Sequence, residues 1–200
     1  QGDILYRDGS GLQRLAKGTA SKVLAMNSAA NAPEWVTAGG GAVQQVVQKY
    51  KTDVTTQAGN GYASFHDISG MSQAITPTKA SSKILVQIKL VIGNTNDYGN
   101  VQVHADIDNG GYNAIGQPDA SGSRTRGWIG NHYDPSDAAQ TKNYGGSYLW
   151  TPSYSLTDVL TIKLRWSANS GTIALNRSYA ATNAATHFLG TSSITLWEIN

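Results

Sequence analysis

The sequence contains no cysteine, so neither a disulfide framework nor a thiolate metal site is possible. Charged residues make up only 14% of the 200 residues, and just two of the 13 acidic residues are glutamates. No apolar run reaches the ~18 residues of a membrane-spanning helix, so we expect no membrane insertion. The 15 basic residues are scattered and form no clustered patch, so no nucleic-acid partner is expected.

What the chain has in abundance is turn-forming residues, including 22 glycines, while helical periodicity is nearly absent. Low charge with many turn formers favours an all-β sandwich or barrel. At 200 residues and 21.2 kDa there is room for one sizeable core and a smaller appendage. We predict an all-β protein with a short segment at residues 1–42 and an antiparallel β-sandwich at residues 43–200.

Alternation of apolar and polar residues marks the predicted strands. Between residues 83 and 92, every second side chain from Ile84 to Ile92 is Ile, Val or Leu, which indicates one face packed in a core. The same pattern predicts further strands at residues 101–107, 160–166, 173–175 and 193–199.

The last of these strands is apolar on both faces, with Ile194 and Leu196 on one side and Trp197 and Ile199 on the other. A strand of this kind is covered twice. In a sandwich the second cover comes from another subunit or from a loop, so this strand is a candidate subunit interface. The alternative is a central strand of a monomer.

Residues 1–37 consist of short extended pieces. Ile4, Leu5 and Tyr6 precede a strong turn signal at residues 8–11, and an apolar piece follows at residues 12–15. An isolated hairpin is marginally stable in water, so this segment must pack on other copies or on the following domain. The Gly-rich residues 38–42 predict a flexible joint.

Several of these stretches resemble motifs of a known family. GDILYRDG at residues 2–9, RLAKGTA at 14–20 and APEW at 32–35 together resemble a module that recurs in the shafts of bacteriophage tail fibres. ITPTKASSKILV at residues 75–86, LNRS at 175–178 and SSITLWEI at 192–199 resemble the C-terminal head domain of phage fibres.

The resemblance implies a homotrimer in which a short β-shaft carries a jelly-roll-like head. It also implies a component of the phage tail in the virion, assembled in the host cytoplasm, whose head contacts the host cell. A chain that begins at Gln1 is what we expect of the tip of a longer fibre protein.

The resemblance fades between about residues 110 and 154, where aromatic residues stand among Gly, Ser, Asn and Asp. Aromatic rings stack on the apolar faces of sugars, while amides and hydroxyls bond sugar hydroxyls. We predict that loops here bind a bacterial surface glycan or an outer-membrane protein. The alternative is that these rings pack in the core or under long loops. The predicted binding residues are Tyr112, Trp128, His132, Tyr133, Tyr144 and Tyr148.

Metal binding has one weak signal, the alternating residues His104, Asp106 and Asp108 on one strand. A calcium loop needs more ligands and a closing bidentate carboxylate, which this sequence lacks, and a solvated strand face explains the same residues. His residues from three chains could also meet on a trimer axis. We predict no metal site and no cofactor.

Catalysis finds little support, and we predict that the protein is not an enzyme. Glycosidases need a carboxylate pair, and Asp119, Asp134 and Asp137 lie in the divergent region without any pattern that pairs them. No nucleophile elbow, phosphate loop or dinucleotide fingerprint is present. Two rival hypotheses remain, a glycan-hydrolysing tailspike domain and a purely structural fibre segment.

Overall fold

The computed structural model describes residues 1–37, 41–94, 99–131, 141–178, 180, 184–185 and 187–200. All regular structure in these ranges is β, which confirms the predicted all-β class. They contain no helix with the length and apolar character needed to cross a membrane. The chain forms two compact units, Gln1–Gly41 and Ala42–Asn200. Most of the joint predicted at residues 38–42 lies outside the described residues.

The first unit consists of two hairpins. Strand β1 (Ile4–Asp8) pairs with β2 (Gly11–Leu15), as the sequence predicts, and β3 (Lys22–Met26) pairs with β4 (Pro33–Thr37). The Trp35 indole N–H donates to the carbonyl oxygen of Ala16 at 2.7 Å. One face of the first hairpin remains in water, because Leu5 and Leu12 are 72% and 77% exposed.

The second unit is a sandwich of two sheets, here called sheet I and sheet II. Sheet I contains β5 (Val43–Lys51), β6 (Thr55–Ala58), β8 (Lys83–Asn94), β12 (Lys142–Trp150), β14 (Thr172–Leu175) and β15 (Ser192–Ile199). Sheet II contains β7 (His66–Ile75), β9 (Gly99–Ile107), β10 (Asn113–Ile115), β11 (Ile129–Asn131) and β13 (Leu160–Ala168).

The strand order is that of a jelly roll. In sheet I, β12 pairs with β8, β8 with β15 and β15 with β5. Further along the sheet, β14 takes the place of β15 beside β8, and β6 takes the place of β5 beside β14. In sheet II, β7 pairs with β13 and β13 with β9, and both β10 and β11 lie along the far edge of β9. All these pairs are antiparallel, and the two four-strand layers confirm the predicted jelly-roll-like sandwich.

The core lies between the sheets, where the predicted alternation holds. In β8 the side chains from Ile84 to Ile92 that share one face are all fully buried. In β13 the largest buried side chain is Trp166, at 1% exposure, and it packs in the same cluster as Leu160, Ile162 and Leu164. Burial of these side chains supplies most of the driving force for folding.

Strand β7 has no counterpart in the sequence prediction, because its apolar residues do not alternate. Ile68, Met71 and Ile75 are buried, and their spacing of three and four residues is atypical of a strand. The pairing with β13 shifts register between Lys163 and Arg165, which identifies a bulge in the ladder. The shift changes the phase of the alternation between Ile68 and Met71, so both side chains face the core.

The ITPTKASSKILV segment is folded around the buried carboxylate of Glu198 on β15. One carboxylate oxygen accepts hydrogen bonds from the Thr78 and Lys79 N–H groups and the Ser82 hydroxyl at 2.7, 3.0 and 2.8 Å. The other accepts one from the Gln45 side chain at 2.9 Å. Burial alone would raise the pKa of Glu198, but these hydrogen bonds outweigh it and lower that pKa below its ordinary value.

A second network joins residues 175–178 to residues 192–199. The buried Asn176 side chain donates to the carbonyl oxygens of Lys51 and Asp53 at 2.7 and 3.0 Å and accepts from the Ser192 hydroxyl at 2.6 Å. Asn176 adopts a φ of 65°, a left-handed conformation that Asn tolerates better than most residues. At the end of the chain, the Asn200 N–H donates to the Ala42 carbonyl oxygen at 2.8 Å.

The outer face of sheet I carries an apolar row, here called the sheet I stripe. Leu149, Leu85, Trp197 and Val46 lie side by side on four neighbouring strands. Val46 and Leu149 are 46% and 45% exposed, and the indole N–H of Trp197 is buried without a hydrogen-bond partner. On the opposite face of β15, Ile194 and Leu196 lie in the core.

Candidate functional site

Two clefts line the edge of the sandwich where β12 of sheet I approaches β10 and β11 of sheet II. The first cleft, about 270 Å³, contains Trp150 and residues of β9 and β10. The second, about 350 Å³, contains Trp128 and Tyr148. Strand β12 pairs with β8 and with no other strand of the described chain, so this edge of sheet I remains open.

Trp128 is held in a fixed orientation by contacts distant in sequence. Its indole N–H donates to the Ile115 carbonyl oxygen at 2.7 Å, and its backbone N–H donates to the Val101 carbonyl oxygen at 2.8 Å. The ring meets Tyr148 edge to face, with ring centres 5.8 Å apart and planes at 71°. Since the pair is fixed by the fold, a ligand stacking on it would lose little freedom of these rings on binding.

Glycine at position 116 is required for this arrangement. Gly116 has a φ of 59°, and a Cβ atom there would lie 2.7 Å from Nε1 of Trp128. Gly122 has nearly the same φ, 58°, but faces open space. The two positions therefore share the backbone requirement for glycine and differ in whether a side chain would touch the aromatic pair.

We expect Gly116→Ala to displace Trp128, whereas Gly122→Ala should leave it in place. Both variants carry the left-handed backbone cost, about 1–2 kcal/mol, so the difference between them isolates the contact with the ring. The measurement is the indole N–H resonance of Trp128 in a two-dimensional NMR spectrum, with the free energy of unfolding alongside. Equal spectra for the two variants would contradict the proposed role of Gly116.

The lining of both clefts is uncharged throughout its described residues. The polar residues of the lining are Asn113, Gln117, Ser147 and Tyr148. The Ser147 side chain lies on the face of β12 opposite to that of Tyr148. The side-chain nitrogen and oxygen of Gln117 are both buried and have no hydrogen-bond partner. The remaining lining residues are Ala105, Ile107, Gly110, Gly111, Ile115, Gly116, Pro118, Gly127, Trp128, Gly146 and Trp150.

The structure brings together some of the predicted binding residues and separates others. Trp128 and Tyr148 share the second cleft. Tyr144 lies on the same face of β12, four residues before Tyr148, and packs against the core. Tyr144 and Tyr148 were predicted on loops, and this is wrong, because both lie on strand β12. His132 and Tyr133 fall outside the described residues.

Tyr112 lies apart from the clefts, under the ammonium group of Lys163, which is 3.8 Å from the ring centre. Lys163 also forms an ion pair with Asp67 at 2.8 Å, and Arg165 approaches the same carboxylate at 3.0 Å. His104 lies on this outer face of sheet II, and its pKa is lowered by burial first and then by the nearby Arg165 and Lys163. The face is a polar network, in which Tyr112 packs beneath a cation.

Asp106, one of the two carboxylates considered as metal ligands, has a structural role. Asp106 accepts backbone hydrogen bonds from Asn109 at 3.0 Å and Gly111 at 2.6 Å, which caps the turn after β9. His104 contacts the Gln102 side chain at 2.9 Å. Within the described ranges no three His, Asp or Glu side chains converge as metal ligands would. Asp134 and Asp137 lie outside those ranges, and Asp119 is exposed.

The first cleft was not predicted from the sequence. Asn113 and Trp150 are 37 positions apart and meet only because β10 and β12 form facing edges of the two sheets. Gln117 has no sequence signal of its own, although its neighbours Gly116 and Pro118 indicate a turn.

No protein-family model and no curated protein match the sequence. Among solved structures, that of infectious bursal disease virus, Gx strain, is 11% identical over 95% of this chain and 44% of that chain, with a TM-score of 0.35. The enzymatically active domain of bacteriophage CBA120 tailspike protein 4 is 13% identical over 74% of this chain and 19% of that chain, with a TM-score of 0.28.

Dimeric latent PorU from Porphyromonas gingivalis is 10% identical over 98% of this chain and 19% of that chain, with a TM-score of 0.31. This chain thus spans less than half the length of each of these three structures. TM-scores this low do not establish a shared fold, so the jelly-roll assignment depends on the strand order alone.

Proposed function

We propose that this chain is the receptor-binding tip of a bacteriophage tail fibre, a homotrimer that attaches to a bacterial surface glycan without hydrolysing it. The observation that carries the proposal is the second cleft, in which Trp128 and Tyr148 form a fixed aromatic pair and the described lining carries no charge. This combination suits a sugar ring, which has apolar C–H faces and a rim of hydroxyls.

Non-catalytic binding is supported by the chemistry of the clefts. Neither cleft has an Asp or Glu among its described lining residues, whereas hydrolysis of a glycoside usually needs two carboxyl groups flanking the bond. Glu198, one of the two glutamates in the chain, is buried and committed to the loop at residues 76–82. Among the described lining residues, a bound glycan would meet no acid or base.

Trimer formation is supported by apolar surface in both units. Leu5 and Leu12 are largely exposed in the first, and the sheet I stripe is half-exposed in the second. Contiguous apolar surface of this kind marks protein–protein contacts. Three heads on one fibre would also raise avidity by about 10²–10⁴ where geometry allows, so each single site can bind weakly.

The test is a titration of the fluorescently labelled protein with surface polysaccharides purified from a panel of bacterial strains. At least one polysaccharide should bind, and Tyr148→Ala should weaken that binding about tenfold, because the ring loses its contact with the sugar. Tyr62→Ala is the matched control, since Tyr62 is exposed to a similar degree, 43% against 39%, and lies away from both clefts.

Three results would contradict the proposal in different ways. Release of reducing ends during the titration would show hydrolysis and favour the tailspike hypothesis. Absence of binding to every polysaccharide would favour a purely structural fibre segment. Loss of binding in Tyr112→Ala but not in Tyr148→Ala would place the site on the outer face of sheet II.

A further inference from the structure

The two clefts are neighbours along a single track. Both are lined by β12, the first through Trp150 and the second through Gly146 and Tyr148. Opposite β12, the first cleft ends with Ile115 and the second begins with Gly116, the next residue of the chain. We call these two neighbouring clefts together the edge groove. It follows an open strand edge and both of its clefts face solvent, so a long ligand can lie along it.

The spacing within the groove exceeds one sugar ring. Tyr148 and Trp150 are paired with Val86 and Ile84, so both side chains point to the same face of β12. Residues two apart along a strand are separated by about 7 Å. One pyranose ring stacked in the second cleft therefore leaves the first cleft empty, and a further sugar unit of the same ligand is needed to fill it.

The groove also restricts the chemical class of its ligand. Acidic sugars and phosphorylated glycans are recognised through Arg, Lys or helix N-termini, and the described lining of the edge groove offers none of these. The exposed carboxamide of Asn113 both donates and accepts, as a sugar hydroxyl or an acetamido group does.

We propose that the edge groove binds an internal segment of a linear, uncharged polysaccharide, with successive sugar units in the Trp128–Tyr148 cleft and the Trp150 cleft. This inference rests on the proposed function and adds the class of receptor and the way it is read. Recognition through an internal segment offers many equivalent sites along one polysaccharide chain.

The experiment uses the full chain and the polysaccharide captured in the titration above, cut by mild acid into fragments of increasing length. Affinity should rise about tenfold between single-sugar fragments and fragments long enough to span both clefts, and then level off. Asn113→Asp places a carboxylate in the first cleft without changing the size of the side chain. It should remove most of that gain with length and leave the affinity for the shortest fragments unchanged.

Asn60→Asp is the matched control, because it makes the same substitution in an exposed turn away from the groove. Trp150→Ala is a second test of the first cleft, which removes a whole aromatic ring. Its affinity for the fragments is compared only if the variant unfolds as cooperatively as the wild type. Equal affinity for the shortest and longest fragments would overturn the inference, as would a captured polysaccharide that binds only while its acidic groups are intact. Failure of every polysaccharide to bind at all would instead contradict the proposed function.

Discussion

Glu198→Gln should lower the free energy of unfolding of the sandwich by about 3 kcal/mol at neutral pH, because it disrupts a buried, charge-assisted hydrogen-bond network. A carboxamide has one acceptor oxygen, and its NH₂ group would face the NH₂ group of Gln45. Gln45 cannot flip to compensate, since its NH₂ also donates to the Thr76 carbonyl oxygen at 2.6 Å. Urea unfolding at one protein concentration measures the effect.

Because of Glu198, we also expect the free energy of unfolding to fall in acid. The folded state lowers the pKa of Glu198, so its contribution is complete above the ordinary glutamate pKa of about 4.3. That contribution disappears as the pH falls through the lower folded pKa. The difference between wild type and Glu198→Gln should therefore shrink on acidification towards pH 3. Glu34→Gln is the control, because Glu34 is exposed in the first unit, and an equal effect of both substitutions would refute the role of Glu198.

Val46→Glu combined with Leu149→Glu should convert the proposed trimer to a monomer. The expected mass of the wild type is three times 21.2 kDa, about 64 kDa, and that of the variant is 21.2 kDa. Both side chains are close to half-exposed in a single chain, so carboxylates there are solvated in the monomer and desolvated in an interface, at a cost of several kcal/mol per ion. Light scattering after size exclusion measures the mass.

The matched control adds the same two charges to exposed positions of sheet II, as Ser69→Glu with Ser72→Glu. This variant should remain trimeric. A wild-type mass of 21.2 kDa would remove the trimer from the proposed function. A trimer that survives the charged stripe would show that other exposed apolar side chains, such as Leu5 and Leu12 of the first unit, hold the three copies together.

The strands that the sequence predicts well are those whose burial is decided by local alternation. Strand β8 is the clearest case, because each residue in it faces either the core or the outside with a period of two. Strand β7 escapes this logic through its bulge. Strand β12 escapes it for another reason: its core-facing positions include Tyr144, Gly146 and Tyr148, and it lies at an edge, where few apolar residues are needed.

The sequence could predict which residue types the candidate site contains, but not how those residues contact one another. The mixture of aromatic and amide residues in the divergent region includes Trp128 and Tyr148 among the predicted binding residues, since that mixture has no role in a simple alternating strand. Their pairing depends on Gly116 and on the Ile115 carbonyl oxygen, which approach from a different strand. Contacts of this kind are set by the packing of two sheets, and no local sequence pattern encodes them.

The hydrogen bond between Ala42 and Asn200 places the first and last residues of the sandwich side by side. A fold whose two ends leave from the same point can be spliced into an exposed loop of an unrelated scaffold without stretching either junction. Circular permutation should be tolerated for the same reason, with a short linker across these residues and new ends elsewhere on the surface. We therefore expect that the sandwich, with its edge groove, can be inserted into another protein as one continuous segment of sequence.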